Sequence, residues 1–215
     1  MHRLLLLLND PIAGEHLRGV IADMPDMEVS GLTVSLPQAM RSMKICPPDL
    51  VLVDWQVNRA DFEHLLEELV TLPRDSRPSV LVGTLSLDDP ELMEAIAQGA
   101  DGYYLHGSSS EILRGAILQV LAGESPMAPH IARRAKLLLN AAVRAGIGLG
   151  GNARAALRLD EAQMRMLERI GDGYLVREIA REWRTTEHDI GLGIRMLYRK
   201  LQFDHRAAGK AGQLN

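Results

Sequence analysis

The sequence predicts a two-part protein: an α/β domain with a doubly wound parallel sheet of five βα units, then a small all-α domain built around a helix-turn-helix. Three observations predict it. Short apolar runs alternate with amphipathic stretches over about the first 120 residues, only helical periodicity appears from residue 159 onward, and a glycine-rich break separates the two patterns.

The strand candidates are Leu4–Leu8, Met27–Val34, Leu50–Val53, Ser79–Val82 and Gly102–Leu105. The first run ends at Asn9-Asp10 after five leucines. A secretory segment needs about 7–15 apolar residues and a spanning helix about 18, so this run reads as a buried parallel strand, and the chain is expected to be cytoplasmic with no membrane partner. Helical patterns lie near 12–23, 36–44, 59–71, 89–98 and 109–122; in the last, Ile112, Ile117, Val120 and Leu121 recur at near-helical spacing. Strands alternating with helices at this rhythm require crossover connections and helices on both faces of one sheet.

Composition supports a folded chain. Of 215 residues, 47% are hydrophobic and 24% charged, while aromatics reach only 4%, leaving the core to Leu, Val, Ile, Met and Ala. The single cysteine, Cys46, excludes an internal disulfide framework and a Cys-rich zinc site, and the seven histidines show no pair at metal-ligand spacing. The net charge of -4 divides unevenly: -10 over residues 1–122, +3 over 123–150 and +3 over 151–215. The acidic part suits a cation and the basic part a polyanion, although the basic excess is small.

After Gly123, residues 128–145 carry a helical pattern with Ile131, Leu137, Leu138, Leu139 and Val143. Residues 146–152 read Gly-Ile-Gly-Leu-Gly-Gly-Asn. The run matches G-x-G-x-x-G, yet it follows an Arg/Ala-rich helix and not a strand, so residues 124–155 read as a helical and glycine-rich linker. Asp160 can cap a helix reaching about 171; others cover about 175–183 and 187–201, and a short one follows Asp204 as its cap. Thr186-Glu-His-Asp189 has the form of a capping box, and Arg184-Thr185 supplies a short turn between two helices.

Candidate chemistry gathers at the strand ends. The first strand ends in Asn9-Asp10, the third in Asp54, the fourth in Thr84, and the fifth runs into His106. In the flavodoxin-like order 2-1-3-4-5, the first and third strands meet at the switch point, bringing Asp10 and Asp54 together. Two close carboxylates call for a cation, and hard oxygen ligands suit Mg²⁺. Such a metal would stabilise a phosphoryl group on Asp54, with Thr84 donating to one of its oxygens. The bland alternative is that each Asp merely closes a strand and caps a helix. A hydrolase would need an activated nucleophile with a base; Cys46 precedes Pro47-Pro48, away from the strand ends, so no enzyme is expected.

With these residues in view, the chain resembles a response regulator of the NarL/FixJ class, with a receiver domain at 1–123 and a LuxR-type helix-turn-helix DNA-binding domain at 156–215. The resemblance makes Asp54, in Asp49-Leu-Val-Leu-Val-Asp54, the phospho-acceptor, and Asn9-Asp10 the acidic pair that holds Mg²⁺ with it. Thr84 falls on the switch hydroxyl, and Gly99-Ala-Asp-Gly-Tyr-Tyr-Leu105 puts Tyr103 at the switch aromatic. In the second domain Glu178-Ile-Ala180, Trp183, Thr186-Glu187, Ile190 and Leu197-Tyr-Arg-Lys-Leu201 follow the output-domain spacing. The chain departs from the pattern at His106, where the family has a lysine, at Asn9, at Gly107, and at Val57-Asn-Arg59.

The resemblance also implies a sensor histidine kinase, double-stranded DNA and a second copy of the chain as partners. Where the family presents basic residues and His, this chain has Asp189-Ile-Gly-Leu-Gly-Ile-Arg195. Gly191 and Gly193 each cost about 1 kcal/mol against Ala in a helix interior. The candidate DNA contacts are Arg177, Thr186, Gly191, Leu192, Arg195, Arg199 and Lys200, with Thr185 near the backbone; the arginines could equally form a solvated face. Leu167, Ile170, Ile179, Trp183, Ile190, Ile194 and Leu201 are the expected core. The competing reading is a phosphorylation-independent, constitutive or ligand-controlled adaptor acting through protein contacts.

Overall fold

A computed structural model describes residues 1–54, 59–73, 76–87, 90–145 and 158–212. The first part comprises β1 (His2–Leu7), α1 (Pro11–Ala22), β2 (Met27–Thr33), α2 (Leu36–Ile45), β3 (Leu50–Asp54), α3 (Arg59–Thr71), β4 (Ser79–Thr84), α4 (Pro90–Gln98), β5 (Gly102–Leu105) and α5 (Ser110–Leu121). The strands form one parallel sheet in the order β2-β1-β3-β4-β5. This is the expected doubly wound order, with its switch point between β1 and β3.

The apolar runs explain the central strands. Leu4–Leu7 and Leu50–Asp54 are buried throughout, as strands covered on both faces must be. Leu4, Leu6, Leu50, Leu52 and Leu81 face a core completed by Leu17, Val20 and Ile21 of α1 and by Leu113, Ala116, Ile117 and Val120 of α5. Alternation sends Leu5, Leu7, Val51 and Val53 to the opposite face, where α2 packs on β1 and β2. Local chemistry starts the helices: Asp10 Oδ1 accepts the Ile12 N–H at 2.8 Å ahead of Pro11, and Ser109 caps α5.

The second part holds α6 (Pro129–Ala145), α7 (Glu161–Gly171), α8 (Val176–Trp183) and α9 (Glu187–Gly212). The chain divides into two compact units, one of residues 1–86 and 100–122, the other of 87–99 and 123–215. Helix α4 therefore groups with the helical unit, where it packs on α9 and α6. Within that unit Met166, Leu167, Ile170, Ile179, Ile190, Ile194, Leu197 and Leu201 are buried together with Ile131, Ala135 and Leu139 of α6. Asp160 and Gln163 form a reciprocal capping box at the start of α7.

Three expectations need correction. No separate helix follows Asp204; α9 runs unbroken to Gly212. Residues 201–212 contain no proline, and the buried Leu201 and Gln202 extend the packed face, so nothing stops the helix. Asp204 thus lies inside α9, half-buried, and burial raises its carboxyl above the usual range. Leu137 and Leu138 are exposed, because the stripe at i, i+4, i+8 is Ile131, Ala135 and Leu139. Trp183 is half-buried, its ring carrying the Arg165 guanidinium 5.5 Å from the centroid. The glycine-rich 146–152 run and Val57-Asn58 lie outside the described residues.

Candidate functional site

The carboxyl ends of β3, β4 and β5 converge on one rim of the first unit. Asp54 is the last residue of β3 and only 4% exposed. It pairs in register with Gly83, which in turn pairs with Tyr104, so the three occupy one row across the sheet. His106 follows β5, its backbone N–H donating to Thr84 O at 2.8 Å, and its Nε2 lies 3.4 Å from Asp54 Oδ1. Thr84 ends β4, buried; its Oγ1 donates to Ser86 O at 2.9 Å and accepts from Ser86 N. Asp54, Thr84 and His106 are therefore brought together, while Asn9 and Asp10, both exposed, sit at the same end of the sheet beyond β1.

The row contains two residues that sequence reasoning passed over. A Cβ on Gly83 would stand 2.7 Å from Tyr104 Oη and 2.8 Å from His106 Nε2. Glycine at 83 thus opens the space in which those two polar groups sit. The Tyr104 and His106 rings meet edge to face, with centroids 5.2 Å apart. Burial, and next the Asp54 charge, push the Tyr104 hydroxyl well above its ordinary range, so it stays protonated. Among the described residues, neither Tyr104 Oη nor His106 Nε2 has a hydrogen-bond partner. The available signal was strand alternation, which turns Tyr103 and Tyr104 to opposite faces and makes both candidates; the expected switch aromatic, Tyr103, is buried on β5.

The sequence-expected ligands of a divalent cation are Asp10, Asp54 and Asn9. Among the described residues no three His, Cys, Asp or Glu side chains converge, and Asp10 already uses Oδ1 to cap α1. Two carboxylates and an amide oxygen nevertheless suit Mg²⁺, which keeps several waters and takes substrate phosphate to complete its shell. The donor set fits, with less negative charge than an all-acid one.

The second candidate site is α8–turn–α9. Arg184 adopts a left-handed conformation (φ 54°) that ends α8, and Thr185 N donates to Ala180 O at 3.0 Å. The expected capping box forms: Asp189 Oδ2 accepts from Thr185 Oγ1, Thr186 Oγ1 and Thr186 N at 2.7, 2.6 and 3.1 Å, and Asp189 N donates to Thr186 Oγ1. These bonds, the Thr186 hydroxyl first, hold the Asp189 carboxyl down at about 2.

Of the candidate DNA contacts, Arg177, Thr186, Leu192 and Arg199 are exposed. Arg195 is only 9% exposed and Gly191 is buried, so neither is presented to solvent. Lys200 is half-buried, with Nζ donating to Arg158 O at 2.5 Å. Both glycines have packing roles: a Cβ on Gly193 would lie 2.5 Å from Met166 Cε, and one on Gly191 2.5 Å from Glu124 Oε2.

A parallel five-stranded sheet with a buried aspartate on its rim, followed in one chain by a helix-turn-helix, is the architecture of a NarL/FixJ-class response regulator. Comparison with known proteins agrees. The chain is 25% identical over 203 residues to the nitrate/nitrite response regulator protein NarL of Escherichia coli strain K12, spanning 94% of this chain and 90% of that one. It is 25% identical over 187 residues to the response regulator protein VraR of Staphylococcus aureus, covering 86% and 83%. Among solved structures, a LuxR-family two-component response regulator from Aurantimonas sp. SI85-9A1 matches 62% of this chain and 94% of its own at 26% identity and a TM-score of 0.52. RcsB of Salmonella enterica serovar Typhimurium, bound to a promoter, shares the fold over 97% and 100% of the two chains, with 14% identity and a TM-score of 0.52. No family model matches the chain. Among the described residues no helix is long and apolar enough to cross a membrane.

Proposed function

We propose that this protein is a transcriptional response regulator that binds double-stranded DNA through α9 and is controlled through its receiver domain, with Asp54 as phospho-acceptor. The observation that carries the reading is Asp54 at the end of β3, beside Thr84 and 3.4 Å from His106, in a chain that aligns with response regulators along nearly its whole length. A sensor histidine kinase is the expected phosphoryl donor, and a second copy of the chain the expected DNA-binding partner.

In this mechanism an Asp54 carboxylate oxygen forms a bond to phosphorus as the bond from phosphorus to the donor breaks. Asp10, Asp54 and Asn9 would hold Mg²⁺, which when bound neutralises charge on the phosphoryl oxygens. His106 Nε2 donates to the phosphoryl group from the side of β5. Its imidazole is shorter than a lysine side chain, so it supplies a different reach from the one the family pattern has there. Thr84 reaches the phosphoryl group by exchanging its bond to Ser86 O for one to a phosphoryl oxygen. Tyr103 then relays the change along β5.

On the output side, exposed Arg177, Thr186, Leu192 and Arg199 offer backbone and groove contacts, with Lys200 at their edge. So few basic groups imply weak, salt-sensitive binding. The protein-binding adaptor is favoured instead by one observation: Leu192, Met196 and Phe203 leave an apolar strip exposed on α9. Gel shifts of the full chain on its own upstream DNA at two salt concentrations separate the readings. Retardation at low salt supports the regulator, and its absence favours the adaptor. Intact-mass analysis after acetyl phosphate and Mg²⁺ tests the acceptor: a phosphate-sized adduct is expected on the native protein and lost in Asp54→Ala.

A further inference from the structure

The rim of the sheet holds two groups that can carry a covalent phosphoryl group, a carboxylate and an imidazole. Asp54 Oδ1 and His106 Nε2 stand 3.4 Å apart, and their side chains are only 5% and 19% exposed. Near-attack geometry places reacting atoms about 3–3.5 Å apart. Backbone fixes both ends of the contact. Asp54 pairs with Gly83 as the last residue of β3, and the His106 N–H donates to Thr84 O at 2.8 Å. Glycine keeps the space beside them open, since a Cβ at 83 would stand 2.8 Å from Nε2.

The surroundings of the imidazole suit it to react. Among the described residues Nε2 makes no hydrogen bond, so none has to be broken first. The buried Tyr104 hydroxyl also lacks a partner there, and it borders the same space over Gly83. A phosphoryl oxygen carried on Nε2 would give that hydroxyl an acceptor, and a buried donor left unmatched is costly. A cavity of about 120 Å³ adjoins the pair, lined in part by His16, Tyr104, His106 and Ser108. That is several times the space one water needs. Phosphorus on Oδ1, aimed at Nε2, lies inside near-attack range, so the ring has only to recoil as the group transfers in line.

We propose that His106 is a second phosphoryl acceptor, which takes the group from Asp54 within the same chain. In the tautomer that keeps its proton on Nδ1, the Nε2 lone pair forms a bond to phosphorus as the bond from Asp54 Oδ1 to phosphorus breaks. The bonding electron pair returns to the carboxylate, and no proton changes hands. The tautomer with its proton on Nε2 instead donates to the phosphoryl oxygens, the role given above. The product is a phosphoramidate on the residue that follows β5, with the Asp54 carboxylate regenerated. The inference rests on Asp54 as phospho-acceptor and adds a second station for the same group.

The two linkages differ in chemistry: alkali cleaves an acyl phosphate, whereas an imidazole phosphoramidate survives alkali and is cleaved by acid. The test incubates the full chain with acetyl phosphate and Mg²⁺ and measures intact mass before and after alkali. It compares wild type with Asp54→Asn and His106→Gln, changes close enough in size to keep the rim packed. Wild type is expected to retain a phosphate-sized adduct through alkali. His106→Gln should carry an adduct that alkali removes completely, and Asp54→Asn should carry none. An adduct on wild type that alkali removes completely overturns the transfer and leaves Asp54 as acceptor. An alkali-stable adduct persisting in His106→Gln places the phosphoramidate on another residue and overturns the proposal. One persisting in Asp54→Asn means that His106 is loaded without Asp54, which overturns the transfer between them. No adduct on any of the three proteins overturns the acceptor reading and the transfer together.

Discussion

His106 Nε2 faces Asp54 Oδ1 at 3.4 Å across the end of β4, and no side chain intervenes because the residue between them in the sheet is Gly83. The imidazole therefore stands where an incoming phosphoryl group needs a cation. His106→Lys supplies a permanent charge on a longer, flexible stem. Phosphoryl transfer from acetyl phosphate to Asp54 is expected to quicken roughly tenfold, equivalent to about 1.4 kcal/mol of barrier, and to slow in His106→Ala. Time-resolved intact mass reads both. Identical rates in the three proteins would remove His106 from the mechanism.

Gly83 also makes a stability prediction. Its Cβ would enter a buried row already filled by Tyr104 Oη and His106 Nε2, and overpacking of this kind costs about 1–3 kcal/mol. Gly83→Ala should lower the urea midpoint accordingly. Tyr104→Phe removes a buried hydroxyl that has no hydrogen-bond partner among the described residues, so alone it should be neutral or mildly stabilising. In the double variant the contact with Tyr104 Oη is gone while Tyr104 Cζ and His106 Nε2 still stand 2.8 Å from the added carbon, so the two changes should couple favourably but only in part. Strict additivity would mean that the clash at 83 is relieved elsewhere.

These two sites show what could and could not be read from the chain. The sheet order and the burial of Leu4–Leu7 and Val51–Val53 follow from apolar runs too continuous to leave either face wet. Asp54, Thr84 and His106 were legible because parallel strands present their carboxyl ends together. Gly83 and Tyr104 were not, since their importance lies in a pairing register that only strand alignment fixes. In the same way Gly191 and Gly193 read as helix defects until Glu124 and Met166 filled the spaces beside them. Asp204 misled as a cap because a cap residue inside a helix differs from one at its start only by what precedes it, and here α9 had not ended.

The turn before α9 carries a correctable strain. Arg184 is exposed and held at φ 54°, ψ 44°, a region that glycine occupies without Cβ conflict. Arg184→Gly keeps the Thr185 N to Ala180 O bond and relieves the side chain, partly offset by greater chain freedom when unfolded. A net stabilisation of about 0.5–1 kcal/mol is expected, read as a higher thermal midpoint for the helical unit. A lower midpoint would show that the arginine side chain contributes more than its backbone costs.

Asp189 gives a pH dependence whose sign is fixed. Its folded-state carboxyl is held at about 2, against an ordinary value of 3.8, by the Thr186 and Thr185 hydroxyls and the Thr186 N–H. A carboxyl depressed on folding contributes stability that is fully present above its unfolded value and is lost as the pH falls through its folded one. The contribution should therefore be constant above about pH 5 and vanish between about pH 4 and pH 2. Many other carboxyls titrate in that range, so the informative quantity is the gap between wild type and Asp189→Asn. Thermal unfolding from pH 6 to pH 2 should show wild type the more stable at the upper end, with the two curves converging at the lower. A gap that stays constant down to pH 2 would mean that the cap is held by the threonine hydroxyls irrespective of the charge they surround.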